Sequence, residues 1–187
     1  MWEFLERSVE IQISNTTRNV TLENPRTYFY SGHSSFPPRP SVPPGSSDTC
    51  QFSSPPFCGC VGVLVYEATA FTVAVFFSNP LDYNRFPMEL GLELSLVKAH
   101  LGRLEDTYTR MSQMGTLPTS NGTTAGCHVT LDNCQEPVQV SVGHVKVTAT
   151  MSNTRRSIIR VVLEEEECSG KEVRERLLFY QTPKELI

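Results

Sequence analysis

Polar and apolar residues alternate with period two at several places along this chain, and that alternation predicts strands. Val9, Ile11 and Ile13 are separated by Glu10, Gln12 and Ser14, the mark of a strand with one buried face. Asn15–Asn19 supplies turn residues. Val20–Ser31 predicts a second strand broken at Asn24-Pro25, where a proline that cannot donate to a ladder requires an edge or a bulge. Val61–Tyr66 and Phe71–Phe77 are nearly unbroken apolar runs joined by Glu67-Ala68-Thr69-Ala70. Their length and valine content predict a hairpin covered on both faces. Leu92–Leu96 alternates again, and Ile158–Leu163 predicts the last apolar strand. Between these two, Val138, Val140 and Val142 are apolar on even positions, whereas Val145, Val147, Ala149 and Met151 are apolar on odd ones. A strand cannot exchange faces without an extra residue, so a bulge is expected at Gly143-His144.

One segment follows a different period. Leu101, Leu104, Tyr108 and Met111 share one helical face, Arg103, Glu105, Asp106 and Arg110 fill the other side, and Gly115 is placed to end the helix. Lys171–Tyr180 is compatible with a further short helix. Phe36–Gly45 holds Pro37, Pro38, Pro40, Pro43 and Pro44 and predicts a stiff, extended surface loop. Two-sided apolar strands beside an amphipathic helix define the expected class: mainly β, an antiparallel β-sandwich flanked by one or two short α-helices. The expected organisation is a short N-terminal segment (1–8), the sandwich (9–163) and an acidic C-terminal tail (164–187).

The length of 187 residues suits one such domain with a tail. The formal net charge of −4 gives no global pull toward nucleic acid. From Glu164 onward seven acids face four bases, so most of the excess negative charge belongs to the tail. No apolar run approaches the roughly 20 residues of a membrane-spanning helix. The start, Met-Trp-Glu-Phe-Leu-Glu-Arg, lacks the apolar run of a signal peptide. Six cysteines are compatible with as many as three disulfides, and Asn15, Asn19 and Asn121 each begin a glycosylation-acceptor triplet. Secreted and cytosolic locations both stay open on these grounds.

Catalytic patterns are scarce. The chain has no nucleophile elbow, phosphate-cradling glycine loop or histidine pair at helical spacing. Cys58-Gly59-Cys60 is too tight for a usual zinc knuckle, and Cys127 with Cys134 lacks a second pair. Glu105 and Asp106 are helix neighbours that point in different directions. Binding is therefore the expected class, with no catalytic residue, metal or cofactor.

Three stretches point to what is bound: Asn24–Gly32 with its Tyr-Phe-Tyr-Ser-Gly end, the strand Val61–Tyr66, and Phe77-Ser78-Asn79-Pro80-Leu81-Asp82-Tyr83-Asn84. Together, from about Val9 to Leu163, they resemble the actinoporins, membrane-lesioning proteins of the wider cytolysin and fruit-body-lectin group. The resemblance implies a β-sandwich with flanking helices and a phosphocholine headgroup held between the aspartate-tyrosine-asparagine loop and a helix. It also implies a secreted protein that oligomerises on sphingomyelin-containing target membranes, with cytolysis and ion passage as the outcome. Carried over by position, the headgroup residues are Ser31, Val61, Ser78, Pro80, Phe86 and Tyr108, and the membrane contacts are Arg85, Phe86 and Trp2.

Departures from the family pattern sharpen this expectation. Phe86 stands where a tyrosine is usual, Leu104 and Thr109 replace helix tyrosines, and Arg85 replaces a tryptophan. The tryptophan-rich continuation is here Pro87-Met88-Glu89-Leu90. Each lost ring removes cation–π attraction of about 0.5–2 kcal/mol. Actinoporins also place a long amphipathic segment before the first strand. Met1–Ser8 would give only about 12 Å of helix, against a hydrocarbon core of about 30 Å. Lipid binding is thus expected, with the pore step in question. The other readings are a non-lytic, lectin-like glycan-binding module, and an interaction protein using the proline loop and acidic tail.

Overall fold

The computed structural model describes residues 5–131 and 137–166. In chain order the elements are β1 (Ser8–Asn15), β2 (Leu22–Ser31), β3 (His33–Phe36), β4 (Ser41–Val42), β5 (Ser47–Ser53), β6 (Cys60–Glu67) and β7 (Thr72–Asn79). They continue with β8 (Met88–Ser95), α1 (Leu104–Ser112), β9 (Thr119–Ser120), β10 (Thr124–Leu131), β11 (Val138–Val142), β12 (Val145–Met151) and β13 (Arg156–Glu165). Six strands form one sheet in the order β11-β12-β13-β1-β5-β3, and seven form the other, β4-β2-β6-β7-β8-β10-β9. The protein is a β-sandwich with one helix among the described residues. Its ladders are antiparallel except between β1 and β13, which run parallel.

The alternation along the strands builds the core. Val9, Ile11 and Ile13 from β1 meet Leu90, Leu92 and Leu94 from β8 in one buried cluster, with Phe52 and Phe77 stacked at 5.3 Å between centroids. The hairpin β6–β7 is two-sided, as its unbroken apolar pattern requires. Leu64, Val75 and Phe77 enter the inter-sheet core, while Val63, Val65, Ala74 and Phe76 point outward and are roofed by α1. Met111 of α1 is buried against that outer face, with Leu104, Tyr108 and Met114 packed around it. Burying one such side chain stabilises the fold by about 1.5–3 kcal/mol, so the helix is held by packing rather than by its caps. Arg103 at its N-cap makes no side-chain capping bond.

Several expectations need correction. The change of face at Gly143-His144 is not a bulge. Val142 pairs with Val145, and the two intervening residues turn the chain, with Gly143 at φ +63° in the glycine-first manner of a II′ turn. A two-residue turn and a one-residue bulge shift parity alike, so the pattern alone does not separate them. The helix is shorter than its sequence pattern. Leu101 lies outside it and is exposed, and Thr107 is buried on the packed face instead. The irregularity at Asn24-Pro25 is present as a register shift between Glu23 and Arg26, with Asn24 at φ +50°.

Cys50, Cys58, Cys60 and Cys127 are free thiols, so the three-disulfide framework does not form. Burial pushes the Cys50 and Cys60 thiols up to about 12. Asn15 is buried and its amide donates to the carbonyls of Val20 and Val42, which removes it as a glycan acceptor in the folded chain. β13 carries strand pairing to Glu165, two residues into the acidic run. Cys134, Cys168, Trp2 and the possible helix at Lys171–Tyr180 lie outside the described residues.

Candidate headgroup cleft

The strand ends place the site. β2 ends at Ser31, β6 begins at Cys60, β7 ends at Asn79 and β8 begins at Met88, all at one end of the seven-stranded sheet. The loop 80–87 leaves β7 there and faces α1. Its conformation is locally determined. Asp82 accepts the Asn84 N–H on its side chain at 3.0 Å, and its carbonyl accepts from Arg85 and Phe86. Asn79 is wholly buried beneath the loop, donating to the carbonyls of Ser8 and Arg155 while its own oxygen accepts from the Tyr83 hydroxyl at 2.9 Å.

Arg7 adds a brace from across the sequence. Its guanidinium donates to the carbonyls of Pro80 (3.1 Å) and Leu81 (2.7 Å) and lies 5.1 Å from the centre of the Tyr83 ring. A second loop, 54–59, presses against the first. A Cβ on Gly59 would stand 3.0 Å from Pro80 Cα and 3.1 Å from the Asn79 backbone carbonyl oxygen, so any other residue would require the loop to give by a few tenths of an ångström.

Between these loops and α1 lies an open cleft of about 670 Å³. All six residues expected at a headgroup site, Ser31, Val61, Ser78, Pro80, Phe86 and Tyr108, line it. Phe86 is 61% exposed at the mouth, and Arg85 lines the same rim with its Nε 3.9 Å from Asp82. Of the replaced helix tyrosines, Leu104 packs under the helix and Thr109 turns to solvent, its hydroxyl donating to the Glu105 carbonyl. Neither position reaches the cleft.

The rings are arranged against one another rather than around a space. Tyr108 stacks on Tyr30 at 5.5 Å with planes 9° apart, and also meets Tyr28 at 5.4 Å and Phe76 at 5.7 Å. Burial pushes the Tyr108 phenol up to about 12, with Tyr30, Tyr28 and Glu89 adding to the effect.

Sequence reasoning passed over several residues here. Tyr30 is 70% exposed on the rim. Phe57 is 60% exposed in the turn Pro55–Cys58 and sits at φ +64°, a backbone region that costs a bulky L-residue roughly 1–2 kcal/mol. Glu89 lines the cleft from β8, and behind it His128 of β10 is buried. A second cleft of about 690 Å³ lies at the far end of the sandwich, among Arg18, His144 and Glu164–Glu166. It gathers none of the expected residues and no aromatic rim, so size alone does not make it the candidate.

No protein-family model matches the chain, and no curated protein sequence does. Among solved structures the fold is similar to that of the lipid-binding protein Nakanori, with a TM-score of 0.60 and 15% identity over 84% of this chain and 70% of that one. At that identity the likeness defines the fold, a two-sheet sandwich of shared architecture, and no more.

Proposed function

We propose that the cleft between the 80–87 loop and α1 binds the polar headgroup of a membrane lipid and so docks the sandwich on a bilayer surface. The observation that carries this reading is convergence. Six residues scattered from Ser31 to Tyr108 line one cleft whose rim exposes Tyr30 and Phe86, with Phe57 exposed next to the lining residue Cys58. Exposed aromatic rings beside a polar cavity suit the headgroup region, where one part of a side chain stays wet and the other does not. The similar fold of a lipid-binding protein adds support.

The proposal is for binding rather than turnover, and for docking rather than perforation. No helix among the described residues is long and apolar enough to cross a membrane. Lysis is a separate step with a separate assay.

Co-sedimentation with vesicles of several headgroup compositions, run beside dye release, tests the proposal. Vesicle binding that weakens in Phe86→Ala is the expected result, because Phe86 is exposed and its loss leaves the core intact. A chain that stays in the supernatant with every composition overturns the reading. A carbohydrate array that then gives strong hits would establish the lectin-like alternative.

A further inference from the structure

Glu89 gives the cleft a chemistry that an aromatic cage lacks. It stands opposite Ser78 in the β7–β8 ladder, and its side chain is 27% exposed toward the cleft. Behind it, the His128 side chain is only 5% exposed. His128 Nδ1 lies 2.9 Å from the Met114 carbonyl oxygen. A carbonyl only accepts, so Nδ1 carries a hydrogen and donates to it, and Nε2 is the nitrogen turned toward Glu89. That Nε2 is 3.5 Å from Glu89 Oε1 and makes no hydrogen bond, one of two such buried side-chain atoms among the described residues. The carboxylate therefore sits partly exposed at the cleft wall, with the His128 Nε2 3.5 Å behind it.

Resting on the lipid-headgroup reading, we infer that this cleft selects a headgroup ending in a primary ammonium, an ethanolamine type, over the trimethylated choline type. A quaternary ammonium has no N–H and depends on ring faces placed around it within about 6 Å of each centroid. Here one face of Tyr30 is stacked on Tyr108, and Tyr108 is also met by Tyr28 and Phe76, so these rings do not bracket a space for a trimethylammonium. A primary ammonium offers three N–H donors, and a carboxylate in a partly dry wall is the acceptor they require. The polarity of the cleft sets the orientation. The ammonium enters toward Glu89, and the phosphate stays at the mouth near Arg85, clear of the carboxylate. His128 stands behind Glu89 at 3.5 Å and does not line the cleft.

The test uses the full chain and vesicles carrying phosphatidylethanolamine, its mono- and dimethylated forms, or phosphatidylcholine, with soluble phosphoethanolamine and phosphocholine as competitors. Affinity should fall stepwise as N–H donors are replaced by methyls. Glu89→Gln should lose about tenfold on the ethanolamine head and little on the choline head, the scale of one charge-assisted hydrogen bond. Equal binding of all heads, a preference for choline, or a preference that survives Glu89→Gln overturns the inference and leaves the lipid reading standing. Absence of vesicle binding overturns the lipid reading instead. In that event, Glu89-dependent binding of soluble phosphoethanolamine sustains the ammonium assignment, and its absence removes it.

Discussion

Glu89 and Glu93 lie four residues apart on the same face of β8, and each carboxylate meets a buried histidine, yet the two arrangements differ in kind. The Glu93 carboxylate itself has both its partners in place. His100 is fully buried, with Nε2 2.8 Å from Glu93 Oε1 and Nδ1 2.7 Å from the Thr72 hydroxyl. Arg110 of α1 donates to the same carboxylate oxygen. Arg26 holds the carbonyls of His100 and Gly102, tying down the segment that leads into the helix. Burial works against ionisation of Glu93, but the hydrogen bonds from His100 and Arg110 outweigh it and hold the carboxyl below its ordinary range. Around Glu89 the corresponding bonds are missing. Burial pushes that carboxyl above its ordinary range, and the nearby His128 offsets only part of the effect. A closed network positions α1, and an open one faces the cleft that α1 borders. Polar groups left unsatisfied are costly, and the open pair is the one that lies beside the cleft.

The largest expected effect comes from breaking the closed pair. Glu93→Ala leaves the His100 N–H buried without an acceptor, whereas the half-exposed Arg110 can turn to water. The cost should be about 3 kcal/mol, the low end for a broken buried pair, read as a fall in the urea midpoint at unchanged slope. A loss within the ordinary surface range of about 0.5 kcal/mol would show that the network does not brace the helix.

The pH dependence of stability separates the two carboxylates by sign. Glu93 has a lowered folded value, so its contribution is present above the unfolded value and lost as pH falls through the folded one. The deficit of Glu93→Gln relative to the parent should therefore shrink in acid. Glu89 has a raised folded value, so its contribution is present below the unfolded value and lost as pH rises through the folded one. Glu89→Gln should match the parent in acid and equal or exceed its melting temperature at neutral pH. Opposite slopes in the two difference curves support the contrast. Parallel slopes would erase it.

Much of this contrast was invisible in the sequence for a physical reason. Met88-Glu89-Leu90-Gly91-Leu92-Glu93-Leu94 shows strict alternation, which places both glutamates opposite the core. Alternation does not say whether that opposite face meets water or another layer. Here α1 and the ends of neighbouring strands cover it, so a pattern that reads as solvated is partly buried. The apolar rows fared better, because Val9–Ile13 and Phe71–Phe77 can only pack inward or between layers. The cleft-lining residues were reached through the family resemblance, position by position, rather than through periodicity. The brace from Arg7 was not, since it joins positions more than seventy apart in the chain. Glu89 was visible only within Pro87–Leu90, the stretch that stands for a tryptophan-rich continuation, and was read as a loss of ring area rather than a gain of charge.

Ligand binding carries its own pH signature. A proton and an ammonium compete for the Glu89 carboxylate, so affinity for the ethanolamine head should weaken as pH falls through the raised range of that group. His128 faces it from β10, Tyr108 from α1, and Asp82, Arg85 and Cys58 from the cleft loops. Glu89→Gln should flatten the profile, whereas loss of the His128 ring in His128→Gln should shift the profile's midpoint without abolishing binding. A parent profile that is flat between acid and neutral pH would remove Glu89 from the binding step.

The smallest effect belongs to the turn beside the cleft. Phe57 holds a left-handed backbone in the Pro55–Cys58 turn while its ring stays in solvent. Its own N–H donates to the Leu5 carbonyl at 3.2 Å, which pins the turn to the N-terminal segment. The residue is 60% exposed, so its packing among the described residues returns little for the strain. Glycine at this position relieves the strain at the cost of a freer unfolded chain. Phe57→Gly should therefore raise stability by at most about 1 kcal/mol. Vesicle binding should weaken several-fold, with headgroup preference unchanged because Glu89 is untouched. A more stable variant that still binds vesicles as the parent does would place Phe57 outside the docking surface, confining recognition to the cleft itself.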